Sequence, residues 1–203
     1  MRTLVPPPAP GLSELDISGI DDHWGVRRTV RLTFPQPSAL AHDPAHTTRL
    51  TLYLTDLLSP YGLALEPDAL KGGQSYGEMA EALIAATVPE GEQIDLLVLV
   101  YAIPDITPGR ATSTYLSHIC PGTPLSFAIS DQGPAAADTA LRLIREYART
   151  AGLRRSLLLQ VEQSMLPYDP GVPVTVPSVS SGLAVLFGDT GAAPPQSHSR
   201  EST

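Results

Sequence analysis

The sequence predicts an α/β layered fold, with a mixed, mostly parallel sheet and helices on both faces. Three observations predict it. Residues 95–101 (DLLVLVY), 124–130 (PLSFAIS) and 156–161 (SLLLQV) are short apolar runs without alternation, as strands covered on both faces require. Segments with helical spacing lie between them, which is the order of a sheet layered with helices. Residues 182–187 (GLAVLF) form a fourth such run that follows the third without a helix, so one strand is expected to run antiparallel.

In chain order, residues 27–34 place Val30, Leu32 and Phe34 on one face of a strand that Pro35 stops. Residues 35–46 read as a loop. Residues 48–58 carry Leu50, Leu54, Leu57 and Leu58 at helical spacing, although Thr51, Tyr53 and Thr55 would also suit a strand. Residues 75–87 form a clearer helix. Ser75 and Glu78 make a capping-box pattern, Met79, Leu83 and Ala86 an apolar stripe, and Pro89 a stop. Gly72 and Gly73 read as a flexible turn before it. Residues 102–112 are a loop and 113–120 a short helix. Residues 134–151 are the strongest helix, with Ala137, Ala140, Leu141, Ile144, Ala148 and Ala151 on one face, Asp138 four residues before Arg142, and Gly152 as C-cap.

The chain has 203 residues, 42% of them hydrophobic and 17% charged, enough for one α/β domain over residues 16–190. Proline-rich residues 1–15 and small, polar residues 191–203 are expected to be disordered tails. A net charge of −8 and the lack of a basic cluster argue against nucleic acid. No apolar run approaches the ~20 residues that cross a bilayer, and the N-terminus has no signal-like apolar core, so a cytoplasmic protein without membrane contact is expected. A single cysteine, Cys120, excludes an intrachain disulfide and a cysteine-based zinc site.

The turn from strand 124–130 into helix 134–151 is the most informative place for chemistry. It carries Ser130, Asp131, Gln132 and Gly133 at the carboxyl edge of the sheet, beside a helix N-terminus. Its plainest reading is structural, with Ser130 or Asp131 as the N-cap and Pro134 in the first turn. Elsewhere, Cys120 beside His118 reads as a small buried hydrophobe. His23 with Asp21 and Asp22, and His42 and His46 around Asp43, fit no metal-ligand spacing, and no metal or cofactor is expected. Glu162 either points into the site or closes the end of its strand. Trp24 is read as an anchor for the N-terminal segment.

These pieces, in this order, resemble the N-terminal half of thiolase-fold enzymes, the group of thiolases and β-ketoacyl synthases. DLLVLVYAIPD, PLSFAISDQG, the ALRLIR of the long helix, SLLLQVEQS and SSGLAVLFGDTG carry the resemblance over residues 95–188. It implies a thiolase-like half-domain whose turn at 130–133 holds the acyl nucleophile. Family enzymes use cysteine there. This chain offers Ser130, Asp131 or Gln132, the last reminiscent of chain-length factors. The family's catalytic His and Asn residues belong to a second half, which these residues do not include. The resemblance therefore implies an accessory, non-condensing subunit in acyl or polyketide-type biosynthesis. Such a subunit would pair with itself or with a ketosynthase-like partner, and an acyl carrier protein would be a further partner. The alternative is an acyltransferase in its own right, with Ser130 as nucleophile and Asp131, Gln132 and Gly133 near the substrate. A lone half is expected to leave the Ala137/Ala140/Leu141/Ile144 stripe exposed for a partner.

Overall fold

The computed structural model describes residues 23–66, 68–107, 111–133 and 135–190. The expected tails, Pro134 and the start of the expected domain at residues 16–22 lie outside the described residues. Five strands, β1 (Trp24–Phe34), β2 (Leu96–Val100), β3 (Leu125–Ile129), β4 (Ser156–Glu162) and β5 (Ser180–Asp189), form one sheet in the order β1-β5-β4-β2-β3. β2 pairs in parallel with both β3 and β4, while β5 runs against β4 and β1. The antiparallel strand expected from the missing helix before residue 182 is therefore β5. β1 adds an edge beyond it and brings the N-terminal segment into the same sheet.

Helices cover both faces. α2 (Tyr76–Thr87) and α3 (Thr112–Ile119) bury Tyr76, Met79, Leu83 and Leu116 against Leu97, Leu99, Leu157, Leu159 and Leu186. On the other face α4 (Ala135–Thr150) sets Ala136, Ala140, Leu141 and Ile144 against Leu96, Val98, Leu158 and Phe187. Every residue of β2 is buried, which is why its sequence shows no alternation. Each Leu or Ile buried this way contributes roughly 1.5–3 kcal/mol. Trp24 is buried as expected, stacked on Phe187 with ring centroids 5.5 Å apart, and its Nε1 donates to the Arg154 carbonyl.

Several expectations need correction. The α4 stripe is not exposed. Ala140, Leu141 and Ile144 pack on this chain's own sheet, Ala136 rather than Ala137 completes the buried row, and the outer face carries exposed Asp138, Arg142, Glu146 and Arg149. The helix is amphipathic, so its apolar side is consumed by the fold and its charged side faces water. Arg142 donates to Thr139 Oγ1 (3.4 Å). α1 spans Pro44–Leu58 and starts inside the segment read as a loop, because the Asp43 carboxylate accepts from Ala45 N (2.9 Å) and Pro44 suits the first turn. Residues 39–42 of the same segment form a short 3-10 turn. Leu50, Leu54 and Leu58 of α1 build a separate small core with Leu70 and Ile106, while Leu57 stays exposed. The capping box at α2 is half formed. Ser75 Oγ accepts from Glu78 N (3.5 Å), whereas the Glu78 carboxylate accepts from Ser38 Oγ (2.7 Å). Gly72 and Gly73 are more than a flexible turn: a Cβ on Gly73 would lie 2.1 Å from Ile106 Cγ2, and one on Gly72 2.8 Å from Met165 Sδ.

Candidate functional site

The carboxyl ends of the parallel strands β2 and β3 open into a cleft of about 320 Å³. Loops leaving parallel strands diverge there, and the edge becomes concave. Leu99, Tyr101, Ala102 and Pro104 line one side, Ala128, Ser130 and Asp131 the other, and Ala111, Thr112 and Ser113 at the start of α3 close a third. Tyr101 N donates to Ile129 O (3.3 Å), and Ser126 Oγ donates to Ser113 O (2.6 Å), so the rims are tied together.

The wall formed by residues 101–107 is held from below. Glu162, at the end of β4, accepts from Ala102 N (2.8 Å) and Ile103 N (3.4 Å). Burial pushes its carboxyl above the ordinary glutamate range, and those two N–H groups pull the other way. Of its two expected placements, Glu162 takes the strand end rather than the cleft lining, and from there it fastens the neighbouring loop. Tyr76 OH donates to Ile103 O (2.6 Å) and accepts from Gln163 N (3.3 Å). Burial, reinforced by the nearby Glu162 carboxylate, drives the Tyr76 phenol far above its usual value, so it stays a neutral donor. Gln163, 2% exposed, donates through Nε2 to Pro104 O and accepts through Oε1 from Gln74 N (3.1 Å). Asp105 accepts from Tyr76 N (3.1 Å), Thr107 N (3.0 Å) and Thr107 Oγ1. Its charge thus meets the N-terminus of α2, where the helix dipole favours an anion.

The opposite rim is different. Asp131 has a left-handed backbone (φ +60°), which Asp and Asn tolerate better than most residues, and it is exposed. Ser130, half-buried, donates from Oγ to Asp131 Oδ2 (2.8 Å). The helix is described only from Ala135, and Ala135 N and Ala136 N donate to the Gln132 and Gly133 carbonyls. Ser130 and Asp131 line the cleft together. Gln132 and Gly133 do not: the Gln132 carbonyl oxygen of the side chain turns along α4 to accept from Thr139 Oγ1 (2.7 Å), and Gly133 supplies a left-handed turn (φ +52°).

Among the described residues lining the cleft there is no His, Cys, Lys or Arg. Cys120 caps the far end of α3, buried, with its thiol pushed up to about 11 by that burial. His46 Nε2 is paired with the Ile106 carbonyl (2.9 Å), and among the described residues no three His, Cys, Asp or Glu side chains gather as a metal site would need. Sequence reasoning missed Tyr76, Asp105 and Gln163. The Asp105-x-Thr107 spacing of a side-chain-closed turn was a usable signal for one of them. Nothing local marks the other two.

No family model and no curated protein matches the chain. Solved structures do. It is similar to an HMG-CoA synthase from Bacillus subtilis (14% identity, TM-score 0.47), over 82% of this chain and 41% of that one. It is similar to a 3-oxoacyl-(acyl-carrier protein) synthase from Burkholderia xenovorans (16%, TM-score 0.46), over 83% and 49%. It is also similar to an OleA variant from Xanthomonas campestris (11%, TM-score 0.47), over 83% and 59%. These are thiolase-like fold proteins, the group named from residues 95–188, and the chain spans 41–59% of their length. At this level a likeness says nothing of substrate or chemistry. Among the described residues no helix is long and apolar enough to cross a membrane.

Proposed function

We propose that this chain is a ketosynthase-like accessory subunit, acting in the cytoplasm in acyl or polyketide-type (secondary metabolite) biosynthesis and not itself condensing acyl groups. One observation carries the reading. The resemblance puts the acyl nucleophile at this cleft, and its described lining presents two serines and two carboxylates, without a thiol or a histidine. A serine hydroxyl is a far weaker acyl acceptor than a thiolate. The subunit would shape an acyl-thioester site, with acyl carrier protein delivering the chain.

Pairing with a second copy or a thiolase-like partner is supported by β3. Among the described strands it pairs with β2 alone, and it displays Leu125 (49% exposed) and Ala128 at that edge of the sheet, a template for another strand. The charged outer face of α4 argues for the edge rather than that helix. Affinity purification of the tagged chain from its native host tests the reading. A stoichiometric thiolase-like subunit carrying its own Cys and His residues is the expected result. A monodisperse monomer at micromolar concentration would refute it.

The second reading, a stand-alone acyltransferase, is favoured by the Ser130–Asp131 hydrogen bond. There Ser130 Oγ would attack the thioester carbonyl, a carbon–oxygen bond would replace the carbon–sulfur bond, and the hydroxyl proton would leave with the thiolate as thiol. Incubation with an acyl thioester followed by intact-mass measurement separates the two. An adduct absent from Ser130→Ala selects the second reading, and no adduct selects the first.

A further inference from the structure

The two carboxylates of the cleft are not equivalent. Asp105 is saturated by three donors, one of them the first N–H of α2, and its charge is largely answered within the fold. Asp131 holds one hydroxyl and stands exposed at the mouth. The other described polar side chains of the lining are the hydroxyls of Thr107, Thr112, Ser113 and Ser130 and the phenols of Tyr76 and Tyr101. The rest of the lining is apolar, and the volume is at the small end of ligand pockets.

We propose that Asp131 is a specificity-determining residue that restricts the cleft to short, uncharged acyl groups and turns away carboxylated ones. This rests on the acyl-thioester reading above. A carboxylate entering beside Asp131 meets a like charge within a few ångströms. A neutral acyl chain loses nothing there and gains contact with Leu99, Pro104 and Ala128. The backbone adds a reason for an acidic residue at this point. A left-handed position admits Gly, Asn and Asp, and only Asp of these brings a charge.

Calorimetric titration of the purified chain, with its partner where one co-purifies, tests this with two probes: the butyryl and succinyl thioesters of N-acetylcysteamine. The neutral probe is expected to bind about five- to tenfold more tightly. The ratio should fall toward one in Asp131→Asn, which keeps the left-handed preference, and shrink in about 0.5 M salt. Asp131→Gly is the second variant and should behave as Asp131→Asn does. Equal binding of both probes by the unaltered protein, or a ratio unmoved in both variants, would overturn the inference and leave the acyl reading standing. Binding of neither probe would overturn both.

Discussion

Two turns leave neighbouring parallel strands and face each other across one cleft, yet they are built on opposite plans. The turn after β2 is clamped through its backbone by Glu162 at the end of β4, by Gln163 just after it and by Tyr76 of α2, the last two of them buried. The turn after β3 rests on the edge strand, exposes Asp131, and is held by its own short contacts. A buried polar network is rigid because every lost partner leaves an unsatisfied group. An exposed elbow can change its side chains at little expense to the fold. The difference teaches that the cleft has a wall fixed by buried partners and a lip whose side chains the fold does not require.

The comparison can be broken most sharply at Gln163. Gln163→Leu leaves Gln74 N unpartnered in the interior, removes the tie to the Pro104 carbonyl, and should destabilise the protein by about 3 kcal/mol in chemical denaturation. A loss under about 1 kcal/mol would mean that the wall is not clamped. Gly73→Ala forces a methyl group into Ile106, behind the same wall, and is expected to lower stability by about 2 kcal/mol. An unchanged melting midpoint would show that the wall yields.

On the lip the effects are smaller. Asp131→Val puts a β-branched residue at φ +60° and should cost about 1–2 kcal/mol, whereas Asp131→Gly should be neutral or slightly stabilising. If both destabilise equally, the strain assigned to this elbow is wrong. The finest test is pH dependence at Glu162. Its folded-state carboxyl lies above the ordinary 4.5, mainly through burial. Its contribution to stability is therefore full below 4.5 and is lost as pH rises through the raised value. Glu162→Gln should flatten that segment of the stability-against-pH curve, and identical curves for the two proteins would remove the assigned role.

Most of the fold was legible because its signals are local. Apolar runs at 95–101 and 156–161 cannot be solvated, Gly152 ends α4 with a left-handed residue (φ +69°), and the missing helix before residue 182 announced β5. The start of α1 is legible too, in the capping pair Asp43-Pro44. Half of the candidate site was legible: Ser130 and Asp131 line the cleft, whereas Gln132 and Gly133 do not. The clamp on the wall was not, because Gln163 and Tyr76 are 87 residues apart and nothing in either neighbourhood signals the other.

By itself, then, the sequence determined the elements, their order, the layered class and the edge of the sheet where chemistry can occur. Those follow from periodicity and from backbone preferences that act over a few residues. Only the tertiary structure decided that the apolar side of α4 closes this chain's own core, that Glu162 and Gln163 brace a loop some 60 residues away, and that Asp131 stands exposed at the cleft with the Ser130 hydroxyl as its described donor. Each of those depends on which groups meet across the fold, and desolvation and hydrogen-bond partners are properties of that meeting rather than of any one residue.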